Sequence, residues 1–159
     1  MYSTMKGFSL PELLICLGLL AILATIALPL SHQWLSQHQV DNASMQLVNH
    51  LHFARQQAIN RQQVVTVCPS IDQKTCGNQQ HWQHGYLIFA DPHASHQLTP
   101  TSQLLISEQL AIGTLSNTRD YIQFASNGSS RSSNSTFVYQ HQAYQRKVII
   151  SLQGRIRCE

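Results

Sequence analysis

The sequence predicts an α+β protein in which one long N-terminal helix packs against an antiparallel β-sheet or small sandwich. Three features predict this fold. An apolar run without charges spans residues 13–30, a helical stripe of apolar residues follows it, and short β-type runs separated by turn formers begin at residue 64. Because no helical segments lie between the short runs, we expect their strands to pair antiparallel.

The predicted helix runs from Phe8 to about Asn60 and has two parts. The first, residues 8–30, is almost entirely apolar, and about 20 such residues in a helix suffice to cross a bilayer. A cleaved secretory signal is a poorer match, because Pro29 stands where small residues should precede the cleavage site. The second part, residues 31–62, is amphipathic, and its apolar stripe consists of Val40, Ala43, Leu47, Leu51, Ala54 and Ala58.

The head domain is predicted over residues 63–159 and contains only short strands. We expect a polar, flexible loop over Ser126–Ser135, which carries Arg131. The strand candidates are Val64–Cys68, Tyr86–Ala90, Leu104–Glu108, Tyr121–Ala125, Thr136–Tyr139, Lys147–Leu152 and Arg155–Arg157.

Cys68 and Cys76 flank a short, turn-rich segment. In a chain whose body is exported, this spacing favours a local disulfide. The alternative is half of a zinc site completed by nearby histidines, but no second cysteine pair exists and the spacing is not that of a zinc knuckle. We therefore predict a Cys68–Cys76 disulfide and no metal. Cys16 is interpreted as a small apolar residue of the first helix segment, and Cys158 has no assigned partner.

The charge of the chain is concentrated near its C-terminus. The formal charge is +3 and the isoelectric point is near 8.8, values that by themselves say little about partners. From Arg119 onward, however, six cations face two carboxylates, a local net charge of +4. The cations are Arg119, Arg131, Arg146, Lys147, Arg155 and Arg157.

The segment Gly-Phe-Ser-Leu-Pro-Glu before the apolar run resembles the class III signal of the type IV pilin family. The resemblance implies that residues 1–7 are a leader, that prepilin peptidase cuts between Gly7 and Phe8, and that Phe8 is then methylated. It also implies that Glu12 guides filament assembly. An ionised carboxylate near hydrocarbon needs a partner, and the terminal amine of a neighbouring subunit's Phe8 would serve. Pro11 departs from the family pattern but is tolerable in a first helical turn.

Four further motifs follow in the chain: Arg55-Gln-Gln-Ala-Ile-Asn, Val-Thr-Val-Cys68-Pro-Ser, Trp82-x-x-Gly85-Tyr-x-x-Phe89-x-Asp91 and a terminal Gly154-Arg155-Ile156-Arg157. Together they resemble the FimT/GspH subfamily of minor pilins and pseudopilins. This resemblance implies other pilins as partners, a single pass through the bacterial inner membrane with the head in the periplasm, and later incorporation into a pilus at the cell surface.

The terminal motif looks like the Gly-Arg-x-Arg element that some FimT-type proteins use to contact DNA. In a strand, Arg155 and Arg157 share one face at a spacing of ~7 Å, close to that of successive phosphates. Gly154 would let the backbone turn or approach a ligand closely. The opposing interpretation is that two arginines merely protect an edge strand from aggregation. The candidate DNA-binding set is Gly154, Arg155, Arg157, Arg146, Lys147 and Arg131, provided that the serine-rich loop folds over the terminal strand.

These observations lead to one hypothesis and one alternative. The chain is predicted to be a minor type IV pilin that binds the DNA phosphate backbone, without sequence preference, for uptake in natural transformation. The alternative is a GspH-type pseudopilin of a type II secretion system, with an assembly role and no DNA binding. We expect no enzymatic activity and no cofactor, because the sequence has no nucleophile–base constellation, zinc-protease motif or phosphate loop.

Overall fold

The computed structural model describes residues 9–132 and 134–159, and within the helix it describes no side chain at position 24 or at positions 26–33. The predicted processing residues Gly7 and Phe8 lie outside the described residues. The chain forms two compact units, of which the first ends at Leu35 and the second spans Ser36–Glu159.

Helix α1 extends over Leu10–Arg61, close to the predicted bounds. In the first unit its described apolar side chains are exposed: Leu10, Leu13, Leu14, Ile15, Leu17, Leu19, Leu20, Ile22 and Leu23. Among the residues described, no helical stretch combines the length and the apolar character that crossing a membrane requires.

The second half of α1 forms one wall of the head. Its predicted stripe is confirmed, because Val40, Leu47, Leu51, Ala54 and Ala58 are buried in the main core and Ala43 packs against that core. Gln, Asn and His residues occupy much of the opposite face, so the helix is amphipathic where it meets the strands.

The strands form two four-stranded sheets in which every pairing is antiparallel, as predicted. The first sheet has the order β3-β2-β1-β5 and the second has the order β4-β6-β7-β8. A short 3₁₀ helix, Gln79–Gln83, precedes β2. The strands are β1 Val65–Pro69, β2 Gly85–Ala90, β3 Gln103–Gln109, β4 Thr114–Asn117, β5 Ile122–Phe124, β6 Ser135–His141, β7 Tyr144–Ile150 and β8 Ile156–Cys158.

Two features of the head differ from the sequence prediction. Strand β4 was not predicted, because only Leu115 and Asn117 of its four residues are buried and the strand lies at a sheet edge. The serine-rich loop begins as a hydrogen-bonded turn, in which Ala125 and Gly128 donate backbone bonds within the turn and Arg131 donates one to β5. These bonds give the first part of the loop a defined backbone conformation.

The core lies among the helix and the two sheets, and aromatic residues fill it. Trp82 and Phe137 pack edge to face with their centroids 5.0 Å apart. A smaller cluster of Cys68, Leu87 and Phe89 lies on the other side of the first sheet. The Cys68–Cys76 disulfide is formed, with 5.5 Å between the Cα atoms, so these thiolates are not available as a zinc half-site.

Candidate nucleic-acid interface

The C-terminal strand β8 is an edge strand that contains Arg157, and Arg155 directly precedes it. It pairs only with β7, with Ile150 opposite Ile156 and Ile149 opposite Arg157. Ile156 is buried, whereas Arg155 and Arg157 are exposed. The buried isoleucine therefore anchors the strand to the core, and the arginines on either side of it extend toward solvent.

Lys147 belongs to the same outer face of the second sheet as Arg157. Residues directly opposite in an antiparallel pair share a face, and Lys147 lies two positions before the Ile149 that opposes Arg157. Lys147 and Arg157 are thus diagonal neighbours, close enough for long side chains to act on one ligand. Glu159 exchanges both backbone hydrogen bonds with Lys147, each 2.8 Å long, so one carboxylate adjoins the cations.

Arg146 lies on the opposite face of β7. Its Nε donates to Asp41 Oδ1 of the helix over 2.6 Å, and this hydrogen-bonded ion pair raises the pKa of Arg146. The structure therefore does not bring Arg146 into the exposed group formed by Lys147, Arg155 and Arg157, which we call the outer-face cations. Consecutive strand residues alternate between faces, and this alternation separates Arg146 from Lys147.

Gly154 sits in a tight contact between two turns. Its φ is +75°, and a Cβ there would overlap the carbonyl oxygen of Gly128, whose own φ is +78°. Arg55 of the helix donates from Nε to the same Gly128 carbonyl over 2.8 Å. We call Arg55, Gly128 and Gly154 the clasp. Close backbone packing in the clasp therefore explains why position 154 is a glycine, and the approach of a ligand does not.

Arg55 has a structural role that was not predicted from the sequence. Its side chain is half-buried and lies between the buried Ala54 and Ala58 of the helix stripe. The sequence does contain one indication of this role: Arg55 lies within one turn of the buried apolar stripe. A partly buried cation needs a hydrogen-bond acceptor close to the core. Only the fold reveals that the acceptor is a carbonyl of the distant serine-rich turn.

The serine-rich turn packs on the connection between β7 and β8. Ser130 donates its backbone N–H to Leu152 over 2.9 Å, next to the Gly128–Gly154 contact. Arg131 has an exposed side chain and lines a cavity of about 560 Å³ together with His96, Arg119 and Tyr121. The loop thus reaches the terminal hairpin, while Arg131 contributes to a separate cavity.

Glu12 is exposed in the first turn of α1, where its backbone N–H donates to the carbonyl of Ser9. A carboxylate at a helix N-terminus is favourably placed relative to the helix dipole. Within the ranges 9–132 and 134–159, no group of three or more His, Cys, Asp or Glu side chains is arranged to hold a metal ion.

Sequence comparisons connect this architecture to known proteins. A family model described as "Type II transport protein GspH" matches residues 43–154, and one described as "Prokaryotic N-terminal methylation motif" matches residues 3–28. The "Pilin-like protein PilA1" of Thermus thermophilus is 30% identical over 171 residues, which cover 98% of this chain and 99% of that protein.

Structure comparison agrees with these matches. Two crystal forms of the type IV minor pilin FimU of Pseudomonas aeruginosa superpose with TM-scores of 0.58 and 0.60, at 21% and 20% identity. They cover 75% and 77% of this chain and 91% and 90% of the FimU chains, and this similarity concerns the fold. The chain therefore belongs to the type IV pilin-like proteins of the GspH/FimT type, the minor pilins and pseudopilins that assemble into a pilus.

Proposed function

We propose that this minor pilin binds DNA through its C-terminal strand, without sequence preference, for uptake in natural transformation. The observation that carries the proposal is the alternation of exposed Arg155, buried Ile156 and exposed Arg157 at the edge strand β8, which Arg155 directly precedes. Guanidinium groups at this spacing suit successive phosphates, and Lys147 adds a third cation on the same face.

The clasp supports this role because it fixes the backbone immediately before Arg155 and β8. Arg155 directly follows Gly154, and its backbone exchanges hydrogen bonds with Ser151 across the turn. A fixed backbone lowers the entropy lost when the arginines bind phosphates. Weak binding by one subunit is sufficient, because several subunits on one filament would multiply the affinity.

Duplex DNA of random sequence provides the direct test. The detergent-solubilised chain is titrated in a mobility-shift assay at two salt concentrations, beside a variant with Arg155→Gln and Arg157→Gln. We expect wild-type binding that weakens with salt and is largely lost in the variant. A matched control carries Arg61→Gln and Lys74→Gln, which remove two exposed cations elsewhere and should leave most of the binding intact.

The alternative function is that of a pseudopilin in type II secretion, and the description of the matching GspH family favours it. In that case the head contacts other pseudopilins and the outer-face cations only protect an edge strand. The mobility-shift assay separates the two functions, because a pseudopilin of this kind would give no shift even at low salt.

Assembly is proposed to follow the route of the family. Prepilin peptidase cuts between Gly7 and Phe8, residues 8–30 hold the chain in the inner membrane with the head in the periplasm, and Glu12 pairs with the terminal amine of a neighbouring subunit. Glu12→Ala should therefore impair incorporation into filaments while cleavage of the leader continues. Immunoblots of sheared filaments and of membranes measure both, and normal incorporation of the variant would contradict the role of Glu12.

A further inference from the structure

The cavity beside β5 is a second candidate site, distinct from the outer-face cations. Its volume is about 560 Å³, within the range of ~300–1,000 Å³ typical of sites for small organic ligands. Polar side chains dominate its lining, and His96 and Tyr121 add two rings. Neither the proposed DNA contact nor filament assembly uses these residues.

The two rings form a stacked pair. Their centroids lie 3.9 Å apart and their planes differ by 16°. Tyr121 also packs against the small cluster that contains Cys68 and Phe89. The disulfide therefore helps to support the wall of the cavity on which the ring pair stands.

His96 is held in its position by a buried carboxylate. Its backbone has φ of +63°, and its N–H donates to Asp91 Oδ2 over 2.9 Å. The N–H of Ser95 donates to Asp91 Oδ1 over 2.9 Å, and Thr66 donates its hydroxyl to Oδ2 over 3.0 Å. A left-handed backbone is uncommon for histidine, and this network stabilises it.

Cations line the same cavity. Arg131 has an exposed side chain, and Arg119 is fixed through its backbone, because Trp82 donates its indole N–H to the Arg119 carbonyl over 2.7 Å. The one carboxylate of the lining, Asp120, accepts the backbone N–H of Gln79 over 2.8 Å. Arg131 and Arg119 thus both line the cavity, and an exposed guanidinium such as that of Arg131 favours an anionic ligand.

We propose that this cavity binds a nucleotide, with its phosphate on Arg131 and its base against the His96–Tyr121 ring pair. Guanidinium groups recognise phosphate oxygens through paired hydrogen bonds, and bases stack on aromatic side chains. The ligand is either a free nucleotide or an unpaired nucleotide of a DNA strand. The inference goes beyond the proposed function and does not rest on it, because the duplex contact uses β8.

Calorimetric titration of the full chain in detergent micelles tests the site with deoxythymidine monophosphate. We expect one nucleotide to bind per chain, and both inorganic phosphate and thymidine to bind at least about tenfold more weakly, because each lacks half of the contacts. Arg131→Gln should weaken nucleotide binding about tenfold. His96→Asn should weaken it about fivefold, since asparagine tolerates the left-handed backbone but offers no ring.

The variant with Arg155→Gln and Arg157→Gln should bind the mononucleotide as the wild type does. Lack of nucleotide binding, equal affinity for thymidine or phosphate, or wild-type affinity in both cavity variants would overturn the proposal. A twelve-residue oligothymidylate identifies the source of the ligand: binding tighter than that of the mononucleotide and sensitive to Arg131→Gln supports a DNA strand. Binding no tighter than that of the mononucleotide supports a free nucleotide.

Discussion

Helix α1 contains two apolar stretches with opposite exposure. Between Leu10 and Leu23 the large apolar side chains are 53–74% exposed, whereas those of the stripe from Val40 to Ala58 are 0–2% exposed. Both stretches are continuous helix, and leucines lie in each: seven between Leu10 and Leu23, and Leu47 and Leu51 in the stripe. Helical structure therefore does not explain the difference: the stripe packs in the core of the head with its strands, whereas the described large apolar side chains from Leu10 to Leu23 are exposed.

The two stretches obtain their stability from different sources. The stripe is stabilised within the head, because its burial against the sheets removes apolar surface from water. The described part of the first stretch exposes a contiguous apolar surface, and such surfaces mark contacts with other chains or with lipid. For a pilin-like protein, those contacts are expected to come from neighbouring subunits and from the membrane before assembly.

The largest expected effect compares one leucine from each stretch. Leu51→Ala should lower the free energy of unfolding of the head by about 3 kcal/mol, because it leaves a cavity in a fully buried site. Leu17→Ala should leave head stability unchanged, since Leu17 is 53% exposed in the other unit. Urea unfolding followed by tryptophan fluorescence measures both. Equal losses would contradict the distinction between the two stretches.

Glycines give a second comparison. Gly154→Ala should destabilise the head by about 2 kcal/mol, because a Cβ there meets the Gly128 carbonyl and φ is positive. Gly18→Ala is the matched control, since no heavy atom lies within 4 Å of its added Cβ, and alanine is the better helix former. Thermal unfolding of the two variants is the measurement, and a stable Gly154→Ala head would show that the clasp is not tightly packed.

A smaller effect concerns the donor of the clasp. Arg55→Met keeps the apolar stem but removes the hydrogen bond to Gly128, so we expect a loss of about 1.5 kcal/mol. Arg61→Met removes only exposed hydrogen bonds, to Gln57 and Gln103, and should change stability by less than about 0.5 kcal/mol. Denaturant midpoints measured in parallel separate the two arginines. Similar midpoints for both variants would argue against a structural role of Arg55.

The smallest effect is a dependence on pH. Burial acts to raise the pKa of Asp91, but hydrogen bonds from the Ser95 and His96 amides and from Thr66 outweigh it and lower the pKa. The folded pKa therefore lies below the unfolded value, so Asp91 contributes stability above the unfolded pKa that is lost as the pH falls through the folded pKa. Unfolding at pH 6 and pH 3 should show a smaller acid loss for Asp91→Asn than for wild type, and an equal loss would contradict this role.

Much of the fold could be predicted from local patterns. The helix stripe and most of the strands follow from the apolar periodicity, and the disulfide follows from the cysteine spacing. Strand β4 escaped prediction because a short, half-polar edge strand has little local signal and depends on its partner β6. The Asp91 network likewise joins residues from three distant segments, which no local pattern reveals.

The candidate site was predictable in part. The motif placed Arg155 and Arg157 on either side of a buried residue, and the exposure pattern of the structure matches that expectation. Strand alternation places Arg146 and Lys147 on opposite faces of β7. The ion pair of Arg146 with Asp41 could not be predicted, because only the tertiary fold brings that part of the helix to β7. The contact between Gly154 and Gly128 required the tertiary fold, because the two glycines approach only when the serine-rich turn packs on the terminal hairpin.

The central claim is that the head folds on its own and contains the proposed DNA contact. The first stretch of the helix, in contrast, is stabilised by contacts with neighbouring subunits or lipid. The most direct test measures unfolding and duplex DNA binding of the segment Ser36–Glu159 alone, beside the full chain. We expect cooperative unfolding and the same salt-dependent affinity as the full chain, with binding lost when Arg155 and Arg157 are changed to glutamine. A segment that does not fold, or that folds without binding DNA while the full chain binds it, would contradict the account.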